Sequence, residues 1–409
     1  MTSDMCRTAP VRPLRRNRDY RVWWSGAVAS GLGSSVLGVA LPLLVLDTSG
    51  SAARAGLVAG AAAMAKFAGS SPAGMLVDLC PRRPLLPLAS VVQLLAAASV
   101  LLAESSGRAG PGLLMAAAAA EGLGCSVHTA AELPLLRRIV PGVQRRSALS
   151  REQARKTTAQ LVGPPLGGVL FAWSPVAPFL AAAVLFLGMT LAALALRVPL
   201  ASRAPDDGSG AATRNRPLAG LRYVCDSPYL RHMVAWFALV NGAFAGLALL
   251  LVVLCHDRGA SAAEVGVAQG VGSAGAVLGA LACEGLTARM TDAQLLKAAS
   301  WALVAGTAAM AVPAGALFTG LAYAAALFLT PAVNVSFMNH VVRTVPESLT
   351  GRISMTAMTA ARSLTWLFTL GTGAMADWRG PPAPLLALGG LFLLLACATH
   401  VREVAPAGR

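Results

Sequence analysis

Four ionisable or weakly acidic side chains form a ladder within one apolar segment of the chain. The members are spaced four, three and four residues apart and are Glu121, Cys125, His128 and Glu132. At 3.6 residues per turn this spacing puts all four on one face of a helix, over about 16 Å of its axis. Such groups inside an apolar segment usually face a bundle interior or a water-filled cavity. Glu121 and Glu132 are therefore candidate proton carriers, because a glutamate there can change its protonation state.

Two neighbouring bases near the start of the next apolar segment bear on the shallower glutamate of this ladder. Arg155 lies at a depth similar to that of Glu132 if the two segments are adjacent antiparallel helices, so we predict that they pair. We therefore include Arg155 among the proton-coupling candidates. Lys156 points about 100° away around the helix, and we interpret it as a lysine whose amine reaches the membrane interface.

Lys66 and Arg362 are two further bases inside apolar segments, and they leave two interpretations open. They could neutralise Glu121, or they could bind an acidic substrate. Other polar or aromatic side chains in apolar segments are candidates for a substrate pocket, although each could instead serve helix packing. The complete set of pocket candidates is Lys66, His128, Asn241, Asn334, Phe337 and Arg362.

The composition requires that these side chains be held by membrane-spanning helices. Only 12% of the 409 residues are charged and 56% are hydrophobic, whereas soluble domains carry about 25% charged residues. A spanning helix needs about 20 apolar residues, and twelve such stretches are present. They run at roughly 22–46, 55–77, 85–104, 111–136, 152–172, 176–196, 232–255, 262–286, 294–315, 317–341, 354–376 and 382–400. The sequence predicts an all-α integral membrane protein with twelve transmembrane helices.

The distribution of basic residues predicts the orientation of these helices. With the N-terminus placed in the cytoplasm, 25 of the 33 basic residues fall in inside segments and 4 in outside segments. This is the bias of the positive-inside rule. We expect a multi-pass protein of the plasma membrane with both termini in the cytoplasm. The net charge of +15 is then an orientation signal rather than a nucleic-acid-binding surface.

The chain divides near its midpoint into two halves of six spans. The predicted N-terminal half covers 22–196 and the C-terminal half 232–400, joined by a cytoplasmic linker at 197–231 that contains Pro, Gly, Ser and Asp. A cytoplasmic arm at 1–21 precedes the first half, and a cytoplasmic tail at 401–409 follows the second.

The two halves also resemble each other in sequence. A shift of 205 residues aligns Gly74 with Gly279 and Gly168 with Gly373, and it aligns two Arg-x-Val-Pro segments. Because each half contains an even number of spans, the halves share one orientation. Parallel halves of this kind characterise one class of transporter, in which the site lies between the halves near the midplane.

Several other classes of function lack support in the sequence. The seven cysteines have no metal-binding spacing, and no Gly-rich segment carries the Lys-Ser/Thr of a phosphate-binding loop. We therefore expect no metal, no cofactor and no use of ATP. The ladder is too extended to act as one catalytic site, so we do not expect an enzyme, and no sizeable extramembrane domain suggests a receptor. We also expect a monomer.

Three motifs resemble those of the major facilitator superfamily. Residues 74–84 read GMLVDLCPRRP, similar to the family's G-x-L-x-D-R-x-x-R-R, with Leu79 in place of the usual Arg. Residues 163–168 read GPPLGG, matching the end of a motif associated with antiporters. Segments 17–24 and 345–352 resemble the branch of macrolide-efflux and siderophore-export proteins.

This resemblance implies roles for particular residues. A gating latch would involve Gly74, Asp78, Arg82 and Arg83, and an interface seal would involve Gly163, Pro164, Gly167 and Gly168. It also implies a secondary active transporter that exports a small amphipathic molecule, such as a drug, secondary metabolite or siderophore, against an inward flow of protons. The alternative is an importer or uniporter of a small solute, which could be acidic.

Overall fold

A computed structural model describes residues 14–79, 82–197, 225–344 and 359–401, and its regular elements within these ranges are all helices. The prediction of an all-α protein is confirmed. The α-helices are α1 (Arg18–Ser49), α2 (Ala52–Leu79), α3 (Arg82–Ser105), α4 (Pro111–Ile139), α5 (Arg145–Trp173), α6 (Ala177–Ala195), α7 (Pro228–Asp257), α8 (Ala262–Arg289), α9 (Asp292–Met310), α10 (Ala316–Phe328), α11 (Thr330–Thr344), α12 (Thr365–Arg379) and α13 (Pro382–Val401). Most of the predicted arm, linker and tail lies outside the described residues.

Eight segments in the described ranges are long and apolar enough to cross a membrane, and one of them combines α10 and α11. The helix is interrupted at Leu329 within that segment. Pro331 lies two residues further on and has no backbone N–H to donate to the preceding turn, which accounts for the break. The remaining candidates belong to α1, α3, α4, α6, α7, α8 and α13.

Most helix ends differ by some residues from the predicted apolar stretches, and two of the differences have a clear local cause. The fifth helix begins at Arg145 instead of 152, because a helix continues into polar residues once its apolar part is held in place. The ninth ends at Met310 instead of 315, just before Pro313 and Gly315, which do not favour a helix. The extension places Glu152 and Arg155 about two to three turns inside α5 instead of at its start.

Buried apolar side chains of both halves form one continuous core. In the first half, α1 packs against α6, and Phe186 of α6 is fully buried beside Gly33 of α1. In the second half, the buried Trp236 of α7 donates a hydrogen bond to Ser300 of α9 at 3.3 Å. We call the side of the bundle on which α1 begins the proximal side, and the side on which α1 ends the distal side.

On the distal side, α5 of the first half meets α8 of the second at a seam of backbone atoms. A Cβ added to Gly168 would lie 2.8 Å from Gly266 Cα and would also collide with the carbonyl oxygen of Ala262. Since no side chain fits there, the two backbones touch directly. We call this contact the α5–α8 seam.

An equivalent seam joins α2 and α12 on the same side. A Cβ on Gly373 would lie 2.5 Å from the Ala52 carbonyl oxygen and 2.8 Å from Gly56 Cα. The Asp377 carboxylate of α12 also accepts hydrogen bonds from Ser51 Oγ and the Ala52 N–H, each at 2.8 Å. Asp377 therefore caps the start of α2 across the boundary between the halves. We call this contact the α2–α12 seam.

Candidate functional site

A cavity of about 480 Å³ lies between the two halves in the middle of the bundle. Its walls come from α1, α2, α4 and α5 of the first half and from α7, α8, α10 and α12 of the second. Most of the lining is aliphatic, with a small set of polar side chains. These are Ser34, Ser35, Lys66, Glu121, Gln160, Gln269, Ser273 and Thr369.

Glu121 is the carboxylate of this cavity, and both of its oxygens have partners. Ser34 Oγ donates to Glu121 Oε1 at 2.6 Å, and Lys66 Nζ lies 3.2 Å from Oε2. The Glu121 side chain is 5% exposed, whereas that of Lys66 is 41% exposed. Lys66 thus offers the more accessible charge of the pair.

The geometry resolves part of the ambiguity about Lys66 and Arg362. Lys66 forms the ion pair with Glu121, as one of the two interpretations anticipated. Arg362 is exposed and lies within electrostatic range of Lys66. Among the described residues, no carboxylate lies within ion-pairing distance of Arg362. The middle of the bundle therefore has two bases and one buried carboxylate.

Glu132 lies outside this cavity, in a second charged group between α4 and α5. Arg155 Nη2 is 3.2 Å from Glu132 Oε1, so the predicted pair forms. Lys156, which we interpreted as an interfacial lysine, also pairs with this glutamate, since its Nζ is 2.5 Å from Glu132 Oε2. The flexible lysine stem allows the amine to turn back across the 100° that separates it from Arg155 on the helix. Arg155 also pairs with Glu152.

Most of the other predicted pocket residues have structural partners. His128 of α4 hydrogen-bonds to Ser90 of α3 at 3.0 Å, which joins two helices of the first half. Phe337 is 2% exposed and packs against the ring of Phe237, with centroids 5.2 Å apart. Asn241 Nδ2 donates to the carbonyl oxygen of Phe237 in its own helix at 2.8 Å.

Of the six pocket candidates, Lys66 alone is part of the described cavity lining. Asn334 is exposed on α11, and Arg362 lies near α12, short of the cavity wall. The other candidates lie away from this cavity wall, because residue type and depth do not specify the face of a helix that a pocket occupies.

The residues of the antiporter-like motif face two different neighbours. Gly163 and Gly167 lie against α1, and a Cβ on Gly167 would be 3.0 Å from the Val36 carbonyl oxygen. Gly168 belongs to the α5–α8 seam, and Pro164 lines the cavity. The motif therefore connects the wall of the cavity to the distal contact between the halves.

The gating motif is described in part. Gly74 lies in α2. The side chains of Asp78, Arg82 and Arg83 lie outside the described residues, as does the segment at 345–352 that supported the resemblance to export proteins. The latch remains a prediction.

Six polar residues of the cavity were not singled out from the sequence, namely Ser34, Ser35, Gln160, Gln269, Ser273 and Thr369. A signal was present for three of them. Gln160 precedes Pro164 by four residues, and Gln269 precedes Ser273 by four, so each pair lies on one helix face. Gln269 Nε2 also donates to the Ala248 carbonyl oxygen of α7 at 3.0 Å.

Comparison with known proteins gives one family and a common fold. A family model described as Major Facilitator Superfamily matches residues 23–370. No curated protein sequence matches the chain significantly.

Solved structures of transporters superpose over most of the chain. The nucleoside transporter NupG has a TM-score of 0.69 at 13% identity, covering 93% of this chain and 98% of that one. A bacterial homologue of the iron transporter ferroportin, in an inward-facing state, gives 0.67 at 15% identity, covering 92% and 98%. A D-xylose-proton symporter gives 0.67 at 12% identity, covering 94% and 98%. At these identities the likeness is one of fold, and it confirms the predicted helical architecture.

Proposed function

The chain belongs to the major facilitator superfamily, and from this membership we propose that it is a proton-coupled exporter of a small amphipathic molecule. The superfamily consists of transporters of small molecules. The chain is accordingly a multi-pass membrane transporter and not an enzyme. What we propose beyond this is the direction of transport, the coupling ion and the chemical class of the cargo.

The position of Glu121 is the observation that carries the proposal. It is a buried carboxylate in the wall of a cavity between the two halves, and it is paired with the more exposed Lys66. Ionisable groups at such depth commonly mark proton and substrate pathways. Protonation of Glu121 would remove its attraction for Lys66 and so alter the charge that meets a cargo molecule.

In an alternating-access cycle, protonation of Glu121 would be coupled to the change between the two conformational states of the transporter. Cargo and proton bind with negative coupling when each favours the opposite state of one conformational equilibrium. The motif Gly163–Gly168 supports export, since it resembles the motif of antiporters and its Pro164 and Gly168 join the cavity wall to the α5–α8 seam.

The test is transport by purified protein in lipid vesicles with an acidic lumen. Ethidium, an amphipathic cation, and erythromycin, a macrolide, serve as probes. We expect the unmodified protein to accumulate at least one probe in exchange for lumenal protons. Glu121→Gln should abolish this accumulation and leave probe exchange without a pH gradient intact, because its amide cannot release a proton.

The matched control is Glu284→Gln, which neutralises an exposed glutamate of α8. It should accumulate the probe like the unmodified protein. Full gradient-driven accumulation by Glu121→Gln would contradict the assignment of Glu121 as the proton carrier.

A second candidate function is import or uniport of a small acidic solute. The exposure of Lys66 and the proximity of Arg362 favour it, because together they give the middle of the bundle an excess of positive charge. Benzoate and its uncharged amide make a suitable pair of probes. Exchange of benzoate, but not of benzamide, across vesicles without a pH gradient would support this function over export.

A further inference from the structure

The charged group between α4 and α5 contains more than the predicted pair. We call it the α4–α5 charge cluster and define it as Glu132, Glu152, Arg155 and Lys156. Arg155 Nε donates to Glu152 Oε1 at 2.8 Å, and its Nη1 donates to the Ala27 carbonyl oxygen of α1 at 2.5 Å. The cluster therefore links three helices of the first half.

Three of the four side chains in this cluster are removed from solvent. Exposure is 13% for Glu132, 6% for Glu152 and 9% for Arg155, whereas Lys156 is 42% exposed. At 1.5 Å per residue, Glu152 lies about 10 Å along α5 from the start of the helix. It is thus a buried carboxyl group close to the proximal side.

One atom of the cluster has no partner. Glu152 Oε2 is buried and has no hydrogen-bond partner among the described residues. A buried, unsatisfied polar atom is destabilising by about 1–3 kcal/mol, and more if it is charged. The Glu132 and Glu152 carboxyl groups also share one guanidinium nitrogen, because Arg155 Nη2 contacts Oε1 of both. Two ionised carboxylates in that position repel each other, whereas one shared proton turns the repulsion into a hydrogen bond.

We propose that Glu152 is a proton-binding residue of this transporter, holding a proton on Oε2 that it donates to the Glu132 carboxylate. When the proton leaves to water, the O–H bond breaks and its electrons remain on Glu152, so two carboxylates face two bases. When the proton returns, one carboxylate faces the same two bases. The cluster then gains one positive charge.

Protonation of Glu152 can affect how α1, α4 and α5 pack, because the groups around Glu152 belong to these three helices. Arg155 holds Glu132, Glu152 and the α1 backbone at once, so a change in charge alters its attraction to both carboxylates. Titratable and charged groups face the cluster from three helices. They are Tyr20 of α1, His128 and Glu132 of α4, and Arg151, Arg155 and Lys156 of α5.

The proposal rests on the proposed function only where it assigns this proton to the transport cycle. An exporter driven by inward proton flow needs a residue that releases protons to the proximal, predicted cytoplasmic, side. Glu121 is about 16 Å deeper along α4 than Glu132. The two sites would act at different stages of one proton path.

Infrared spectroscopy of the purified full-length protein tests the proton site without a transported probe. The spectrum of the unmodified protein minus that of Glu152→Gln, at neutral pH, should contain the C=O stretching band of a protonated carboxyl group, and this band should move to lower frequency in D2O. The same subtraction with Glu284→Gln should lack the band. Its absence from the Glu152→Gln difference would overturn the proposal.

A conservative variant covers the case in which Glu152→Gln does not fold. Glu152→Asp keeps the carboxyl group on a shorter stem, so its band should persist at a shifted frequency because the contact with Glu132 changes. An unshifted band would show that the proton resides elsewhere and would overturn the proposal.

Vesicle transport separates this proposal from the proposed function. Glu152→Gln should lose accumulation of the probe driven by the pH gradient and retain exchange without a gradient. Full gradient-driven accumulation would overturn its part in the cycle. If the unmodified protein shows no gradient-driven accumulation, proton-coupled export fails, and the infrared band still decides whether Glu152 binds a proton.

Discussion

At the scale of single residues, Glu121 and Glu132 of α4 pair with bases of two different helices. The spacing of the α4 ladder placed Glu121 and Glu132 on one side of a helix. In the structure they face different neighbours, Lys66 of α2 and the bases of α5. A long helix contacts different neighbouring helices at different points along its length, and the periodicity of its sequence does not specify which helices these are.

The pair of Lys66 and Glu121 gives a prediction about stability at this scale. Lys66→Gln leaves the buried Glu121 carboxylate with Ser34 as its remaining described partner, so we expect a loss of about 1–3 kcal/mol in the free energy of unfolding. Adding Glu121→Gln should recover part of that loss, since no uncompensated charge remains. Thermal unfolding in detergent of the two single variants and the double variant measures the coupling. If the losses of the two single variants add up in the double variant, the two side chains are not coupled and the prediction is wrong.

At the scale of helices, the two distal seams show how the internal repeat is used. The sequence aligned Gly168 with Gly373, and each of these glycines lies in direct backbone contact with the other half. What the alignment could not indicate is the partner helix, because pairing across the halves depends on how they dock. The hydrogen bonds that Asp377 accepts from the start of α2 could not be predicted either, since their donors are more than 300 residues away in the sequence.

A pair of glycines in α12 tests the α2–α12 seam. Gly373→Ala puts a methyl group 2.5 Å from the Ala52 carbonyl oxygen, whereas a Cβ at Gly371 has no atom of the described residues within 4 Å. We expect Gly373→Ala to lower the free energy of unfolding by about 1–3 kcal/mol. Gly371→Ala should leave it unchanged or raise it by about 0.5–1 kcal/mol. Equal thermal stability of the two variants would argue against a tight seam.

At the scale of the whole molecule, hydropathy was sufficient to predict the architecture. A chain with 12% charged residues has to bury its backbone polar groups in helices when it lies in lipid. The cavity was not predictable in the same way, since its lining comes from eight helices and depends on their rotation. Aliphatic residues such as Ala62 and Val252 line it without any distinguishing sequence signal.

The predicted orientation can be checked with reporter fusions. Green fluorescent protein attached after Arg409 should fluoresce, because it folds in the cytoplasm. Alkaline phosphatase fused at Gly107, in the turn between α3 and α4, should be active, because it requires an oxidising compartment outside the inner membrane. The reverse pattern would invert the predicted topology.

The two seams also bear on how such a protein can diversify. Gly56, Gly168, Gly266 and Gly373 close the distal side through main-chain atoms, which are the same for every amino acid. The cavity, by contrast, is bounded by side chains. Substitutions that reshape the cavity for a new cargo therefore leave the closure intact, provided that these glycines are kept. Recognition and closure can evolve separately, and a change of cargo does not require a new gate.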